Sequence, residues 1–436
     1  MNALRVGLAA GGSVTVSAAS GAGLTAAAGG YAASAGVSRA GGRAGSSSAM
    51  LGPEYGVGRA DWKTTDEEIE ARKMPVDSGQ TLLEGYTFDD VALVPKYSSL
   101  TSRTEPSLET WFTRNTTIGM PLVASNMDTV MGPELAEVLI ANGGMPIMHR
   151  FTDLETQVAW SRQFAGNVFI SAGFNDVDNL GPCFDAGAVG VCIDVAHGHT
   201  STMIDFIKHI RDEYPDKQII AGSVCTPLGY QDLVEAGAHV IRVGVGCGAA
   251  CSTRIVTGFG VPQFTAIHQI AKVAREMRVP FIADGGIRNS RDVVLALAAG
   301  ATSCMMGNLF AKTFESAAPK YIRLNTDSDF DVVHPVKVGT DMPFKYDVFA
   351  LYRGQASEHF QSDYFGGVKK GTVPEGVDFT TRVSGSAQDL LDNLLGGLRS
   401  GMTYGGARTI EELQRKAEFI KVTSNYAAES FPRIHQ

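Results

Sequence analysis

The sequence predicts an α/β protein built on a closed (β/α)8 barrel. Three observations carry that prediction. Eight short, continuously apolar runs recur between residues 121 and 307, the pattern of strands buried on both faces. Segments of helical period separate them, so strand and helix alternate as parallel βαβ units. Eight such units suit the ~250 residues usual for a closed barrel; an open, doubly wound sheet is the alternative arrangement of the same alternation.

Taken in order, the runs are PLVASN (121–126), MPIMH (145–149), VFISAG (168–173), VGVCIDVAHG (189–198), IIAGSV (219–224), VIRVGVG (240–246), FIADGG (281–286) and TSCMMG (302–307). Between them, Met203, Ile204, Phe206, Ile207 and Ile210 form one apolar stripe over 201–214. Ile267, Ile270, Ala271, Ala274 and Met277 form another over 264–277. The uncharged stretch 293–311 is broken by Gly300, Thr302, Ser303, Gly307 and Asn308. It reads as a short helix followed by a buried strand, so no transmembrane helix is expected.

The chain has 436 residues, with 46 acidic against 37 basic side chains and a net charge of −9. That balance lacks the basic footprint of a nucleic-acid partner. The six cysteines form no CxxC pair, which argues against a disulfide framework or a structural zinc site. Residues 1–53 are expected to be disordered: positions 1–50 hold eleven glycines, three arginines and no Asp, Glu or Lys. An acid-free, Ser- and Arg-bearing segment suits an organellar transit peptide, and an untargeted extension is the other reading. The location is accordingly cytoplasmic, or plastid or mitochondrial if the segment is cleaved. Residues 54–80, with the acidic Asp66-Glu67-Glu68 and Glu70, read as a solvated helix or linker. The barrel occupies 81–436, with a flap inserted at about 312–385.

Glycines gather at the C-terminal ends of the runs, the functional face of a barrel, although turn geometry alone explains some of them. Polar groups join them there: Asn126 to Asp128, Asp194 to His199, and Asp284 with Gly285 and Gly286. The densest constellation is GVGCGAACSTRIVTGFGVPQ (244–263), a glycine-rich loop that can approach a ligand closely. Cys251 in it is a candidate thiolate nucleophile, with Arg254 placed to lower its pKa; the alternative makes Cys247 and Cys251 small buried thiols. Asp284 suits ribose hydroxyls, and DGGI (284–287) with MGN (306–308) suits a phosphate. Together they predict a nucleotide substrate attacked covalently.

Over about 82–436 the chain resembles the IMP dehydrogenase/GMP reductase family. The match runs through LLEGYTFDDVALVPKYSSL (82–100), SNMDTV (125–130), IMHRF (147–151), IDVAHGH (193–199), GVGCGAACSTR (244–254), IADGGIRNSRDV (282–293) and GGLRSGMTYGGARTIEELQRKAEFIKV (396–422). The resemblance implies a (β/α)8 barrel with Cys251 forming a thioether to purine C2. It assigns Thr253 and Glu375 to catalysis; Asp284, Gly286, Gly307, Asn308, Ala249 and Gln355 to the substrate; and Asn126, Asp128, Asp194, Ala196 and His197 to the nicotinamide cofactor. It also implies K+ on the carbonyls of Gly246, Gly248 and Cys251, a homotetramer, and a GMP/IMP substrate with neither nucleic acid nor membrane.

Only about twenty residues separate His149-Arg150 from Ser171, leaving no room for inserted CBS modules. Ser252-Thr253-Arg254, the late Met402-Thr403-Tyr404 and the absence of an Arg-Tyr pair in 356–361 favour the reductase branch. The expectation is therefore NADPH-dependent conversion of GMP to IMP and ammonia; the alternative is NAD-dependent IMP dehydrogenase. Three departures are Ala249 at the family's phosphate-binding Ser, Asn308 at its second Gly, and Gln355 at its purine-contacting Met.

Overall fold

A computed structural model describes residues 83–324, 332–335 and 347–430. The readings of 1–53 and 54–80 lie outside the described residues. Seven parallel strands form one sheet: β1 (Leu122–Ala124), β2 (Phe169–Ala172), β3 (Gly190–Ile193), β4 (Gln218–Val224), β5 (Val240–Val243), β6 (Phe281–Asp284) and β7 (Ser303–Met306). Their order across the sheet is β1-β7-β6-β5-β4-β3-β2, so the first two in sequence stand at its two ends.

The eighth apolar run fills the space between those ends. Ile147 pairs in parallel with Phe169. Met148 N–H donates to the Phe169 carbonyl at 2.8 Å, and Phe169 N–H donates to that of Pro146 at 3.0 Å. Val123, Ile147, Phe169, Cys192, Ile220, Val240, Ile282 and Met305, one from each run, pack into a single buried cluster. Eight strands sharing one interior cluster is the packed core of a (β/α)8 barrel.

A hairpin, Thr110–Thr113 with Thr116–Ile118, plugs the N-terminal end of the barrel. Phe112 and Ile118 join the same cluster, and the Phe112 ring meets Phe169 edge-on at 5.5 Å. Arg114 donates to the carbonyls of Ala238 and His239, and Thr110 to that of Thr302, all just before strands begin. With this end closed, access is from the opposite rim.

The helices bury the faces their sequence period predicts. In Ser201–Glu213 the buried residues are Met203, Ile204, Phe206, Ile207 and Ile210, and Thr200 caps the first turn by accepting from Met203 N–H. Ser290–Ala298 followed by β7 accounts for the uncharged stretch, and among the described residues no helix is long and apolar enough to cross a membrane. Between Arg150 and β2 there is one ten-residue helix, Leu154–Gln163, and no inserted module.

The flap after β7 is a four-stranded antiparallel sheet. Lys320–Leu324 pairs with Val332–Pro335 on one side and Asp347–Arg353 on the other, and Asp378–Arg382 completes it. Val91–Leu93 pairs with Phe419–Lys421 and ties the two ends of the described chain together.

Candidate active site

The C-terminal strand ends surround a cavity of about 990 Å³, at the upper end of small-molecule sites. Cys251, Thr253, Glu375, Asp284, Gly286, Gly307, Asn308, Ala249, Gln355, Asn126, Asp194, Ala196, Gly246 and Gly248 all line it. Asp128 and His197 lie outside that lining. His197 is exposed on the loop after β3. Asp128 accepts from Arg353 Nε of the flap at 3.0 Å, so it tethers the flap.

The cysteine loop separates two thiols that look equivalent in sequence. Cys247 donates its S–H to the Asp284 carbonyl at 3.1 Å, and burial, reinforced by Asp284, pushes its thiol up to about 12. It is a packed, inert group. Cys251 is half-buried on the cavity wall with its Sγ 3.1 Å from the Thr253 hydroxyl. Arg254 is engaged with backbone carbonyls of the loop. That guanidinium donates to the carbonyls of Val245 at 3.2 Å and Val261 at 2.6 Å, holding the loop's two limbs together.

The flap reaches back to the same loop. Ser252 N–H donates to the Glu375 carbonyl at 2.9 Å, Val377 N–H to Ala250 at 2.9 Å, and Glu375 N–H to Ala356 at 3.1 Å. Those contacts set the Glu375 backbone beside the nucleophile's own. Gln355 donates Nε2–H to the Asn126 carbonyl at 3.0 Å, and Asn126 donates to Ser171 at 2.9 Å.

Behind the cavity, Arg242 of β5 joins two predicted carboxylates. It donates to Asp284 Oδ2 from Nε at 3.0 Å and from Nη2 at 2.8 Å, and to Asp194 Oδ1 at 3.1 Å. Sequence reasoning missed it, although a lone arginine inside the apolar run VIRVGVG was the signal. Tyr352 was missed too, because nothing in its own segment marks it. Its hydroxyl stands so close to the loop after β7 that a Cβ built on Gly307 would lie 2.3 Å from it. Gly285 is required for backbone reasons: φ is +85°, and a Cβ there would lie 3.0 Å from Cys247 Sγ.

Two features bear on a nicotinamide cofactor and on K+. Among the described residues Asp194 Oδ2, on the cavity wall, has no hydrogen-bond partner, and Arg150 Nε is its neighbouring cation at 3.9 Å. It is a carboxylate acceptor suited to the hydroxyl or amide donors of a nicotinamide dinucleotide. The Gly248 carbonyl accepts from Cys251 N–H at 3.0 Å and keeps a second lone pair.

A family model for the IMP dehydrogenase / GMP reductase domain matches residues 85–433. The chain belongs to that family. It is an oxidoreductase of the family, and its fold is the family's barrel without a CBS insertion. Similar proteins include the inosine-5'-monophosphate dehydrogenases of Borreliella burgdorferi (32% identical, covering 80% of this chain and 96% of that protein) and Cryptosporidium parvum (33%, 80% and 94%). That of Nitrosopumilus maritimus is 29% identical and covers 80% and 98%.

These relatives overturn the expectation of a GMP reductase using NADPH. The structure supplies the physical reason the reductase-like residues misled. Arg254 is a loop staple, which either branch can use. Tyr404 ends the helix Ala387–Tyr404 and is 63% exposed outside the cavity lining, so Met402-Thr403-Tyr404 reports outer packing.

Proposed function

We propose that this chain is an NAD-dependent IMP dehydrogenase: IMP + NAD+ + H2O gives XMP + NADH + H+. The observation that carries the reading is Cys251 Sγ held 3.1 Å from Thr253 Oγ1 on the wall of a cavity that Asp284 and Asp194 also line. The names of the relatives, each spanned almost end to end, support this direction of reaction.

The Cys251 thiolate adds to purine C2, and C2 then loses hydride. A bound nicotinamide supplies the hydride acceptor. As the thiolate forms, the Thr253 hydroxyl accepts the proton from sulfur and gives up its own toward the Glu375 carboxylate, the assigned acceptor. The resulting thioimidate is hydrolysed: water adds at C2, the C–S bond breaks, and the electron pair returns to sulfur. With no Arg-Tyr pair in 356–361, Thr253 and the Glu375 carboxylate are the proton-handling groups assigned to that water. Asp284, clamped by Arg242, accepts from the ribose hydroxyls, and the backbone of Gly286, Gly307 and Asn308 faces the phosphate. Asp194, Asn126 and Ala196 line the part assigned to the dinucleotide. The carbonyls of Gly246, Gly248 and Cys251 are assigned to K+, an all-oxygen donor set for a hard cation.

The test is the near-ultraviolet absorbance of NADH, followed with purified full-length protein, IMP, NAD+ and K+. NADH formation coupled to XMP is the expected result. Silence with IMP, or consumption of NADPH with GMP in its place, would overturn the reading.

A further inference from the structure

Five cationic side chains line the cavity: Arg150, Arg242, Arg254, Arg288 and Lys312. Four are committed to protein acceptors. Arg150 pairs with Asp176 at 3.1 Å, Arg242 with Asp194 and Asp284, Arg254 with two carbonyls, and Arg288 with Asp89 and Asp292. The Lys312 ammonium alone has no protein partner among the described residues.

Its place in the fold says what it faces. Lys312 closes the four-residue helix Asn308–Ala311, so it stands at i+4 from Asn308, on the same helix face. Lys312, like Asn308, lines the cavity beside the loop after β7. Its backbone is fixed there, because its carbonyl accepts from Ser384 N–H at 2.8 Å and Thr313 pairs with Gly385. Of the residues assigned to the phosphate, Ala249, Gly286 and Gly307 offer only backbone N–H groups and no cationic side chain.

We infer that Lys312 is the cation that recognises the 5'-phosphate of the substrate, supplying the charge that Ala249 cannot. The inference rests on the nucleotide reading of the cavity and adds to it a residue that sets preference for a nucleoside monophosphate over the nucleoside. An ammonium reaching a dianion from a half-buried wall contributes a charge-assisted hydrogen bond, which corresponds to about tenfold to a hundredfold in affinity.

The experiment is calorimetric titration of full-length protein with IMP and with inosine, without cofactor, for wild type, Lys312→Met and Lys312→Arg. Lys312→Met is expected to weaken IMP about tenfold to a hundredfold while inosine affinity holds, and Lys312→Arg is expected to recover most of the loss. If wild type prefers IMP but Lys312→Met binds it equally well, the role of Lys312 is overturned while the nucleotide reading stands. Equal weakening of IMP and inosine would also overturn it, as damage to the site in general. Wild type that does not distinguish IMP from inosine overturns the nucleotide reading itself.

Discussion

The strands β2, β3, β5 and β7 bury every residue they contain, whereas the flap strand Asp378–Arg382 buries only Thr381. Both regions deliver groups to one cavity, but they hold them by different means. The barrel fixes Asp194 and Asp284 through a buried arginine on a third strand. The flap is held by backbone contacts from 375–377 to the cysteine loop and by Arg353, which reaches Asp128 in the barrel and Asp363 in the flap. Rim groups are thus set when the barrel folds. Flap groups are set only once the flap's contacts with the barrel and the cysteine loop have formed.

Predictions that break or sharpen this contrast run from the nucleophile outward. Cys251→Ser should reduce turnover at least about a thousandfold while the thermal midpoint moves by only a few degrees. Near-normal turnover in that variant would remove Cys251 from the chemistry. Arg242→Met strands two buried carboxylates and should cost about 3–5 kcal/mol of unfolding free energy in a urea titration. A loss under about 1 kcal/mol would mean the clamp does not hold the rim.

Arg353→Met should act on the flap rather than the core. Turnover is expected to fall about tenfold, with faster limited proteolysis within 347–382 and little change in the global midpoint. A global loss as large as that of Arg242→Met would erase the distinction between the regions.

The smallest effect is a pH slope. Burial lowers His149 to about 4, against the opposing pull of Asp128 and Asp194, and lowers His239 to about 4 with Arg211 and Arg114 adding. Both are neutral in the fold and bind protons more readily once the chain unfolds. Their contribution is full above the ordinary histidine value and is lost as pH falls toward 4, by at most about 1.4 kcal/mol per pH unit each. Urea midpoints from pH 7 to 5 should fall less steeply in His149→Gln; parallel slopes would contradict the assignment.

What the chain discloses before folding follows the same division. The eight apolar runs and the stripe from Met203 to Ile210 locate barrel strands and helix faces, because burial on both faces, or on one stripe, leaves a local pattern. That Cys251 lies on the cavity wall was legible from its glycine-rich surroundings. Asp128 was not: its partner Arg353 lies 225 residues on, and nothing local records the pairing. The hairpin plug escaped for a related reason, since Trp111 is 48% exposed beside a fully buried Phe112 and the strands are only three and four residues long. The direction of reaction was misread because Arg254 staples the loop and Tyr404 stands exposed outside the cavity, so neither reports the chemistry.

The central claim is that Cys251 carries the purine during NAD-dependent oxidation of IMP. Peptide mass spectrometry after rapid acid quench of enzyme with IMP and NAD+ tests it most directly. The expected result is a purine ribonucleotide adduct on the peptide containing Cys251, present only when both ligands are supplied and absent in Cys251→Ser. Steady turnover with an unmodified Cys251 peptide, or an adduct on Cys247 instead, would contradict it.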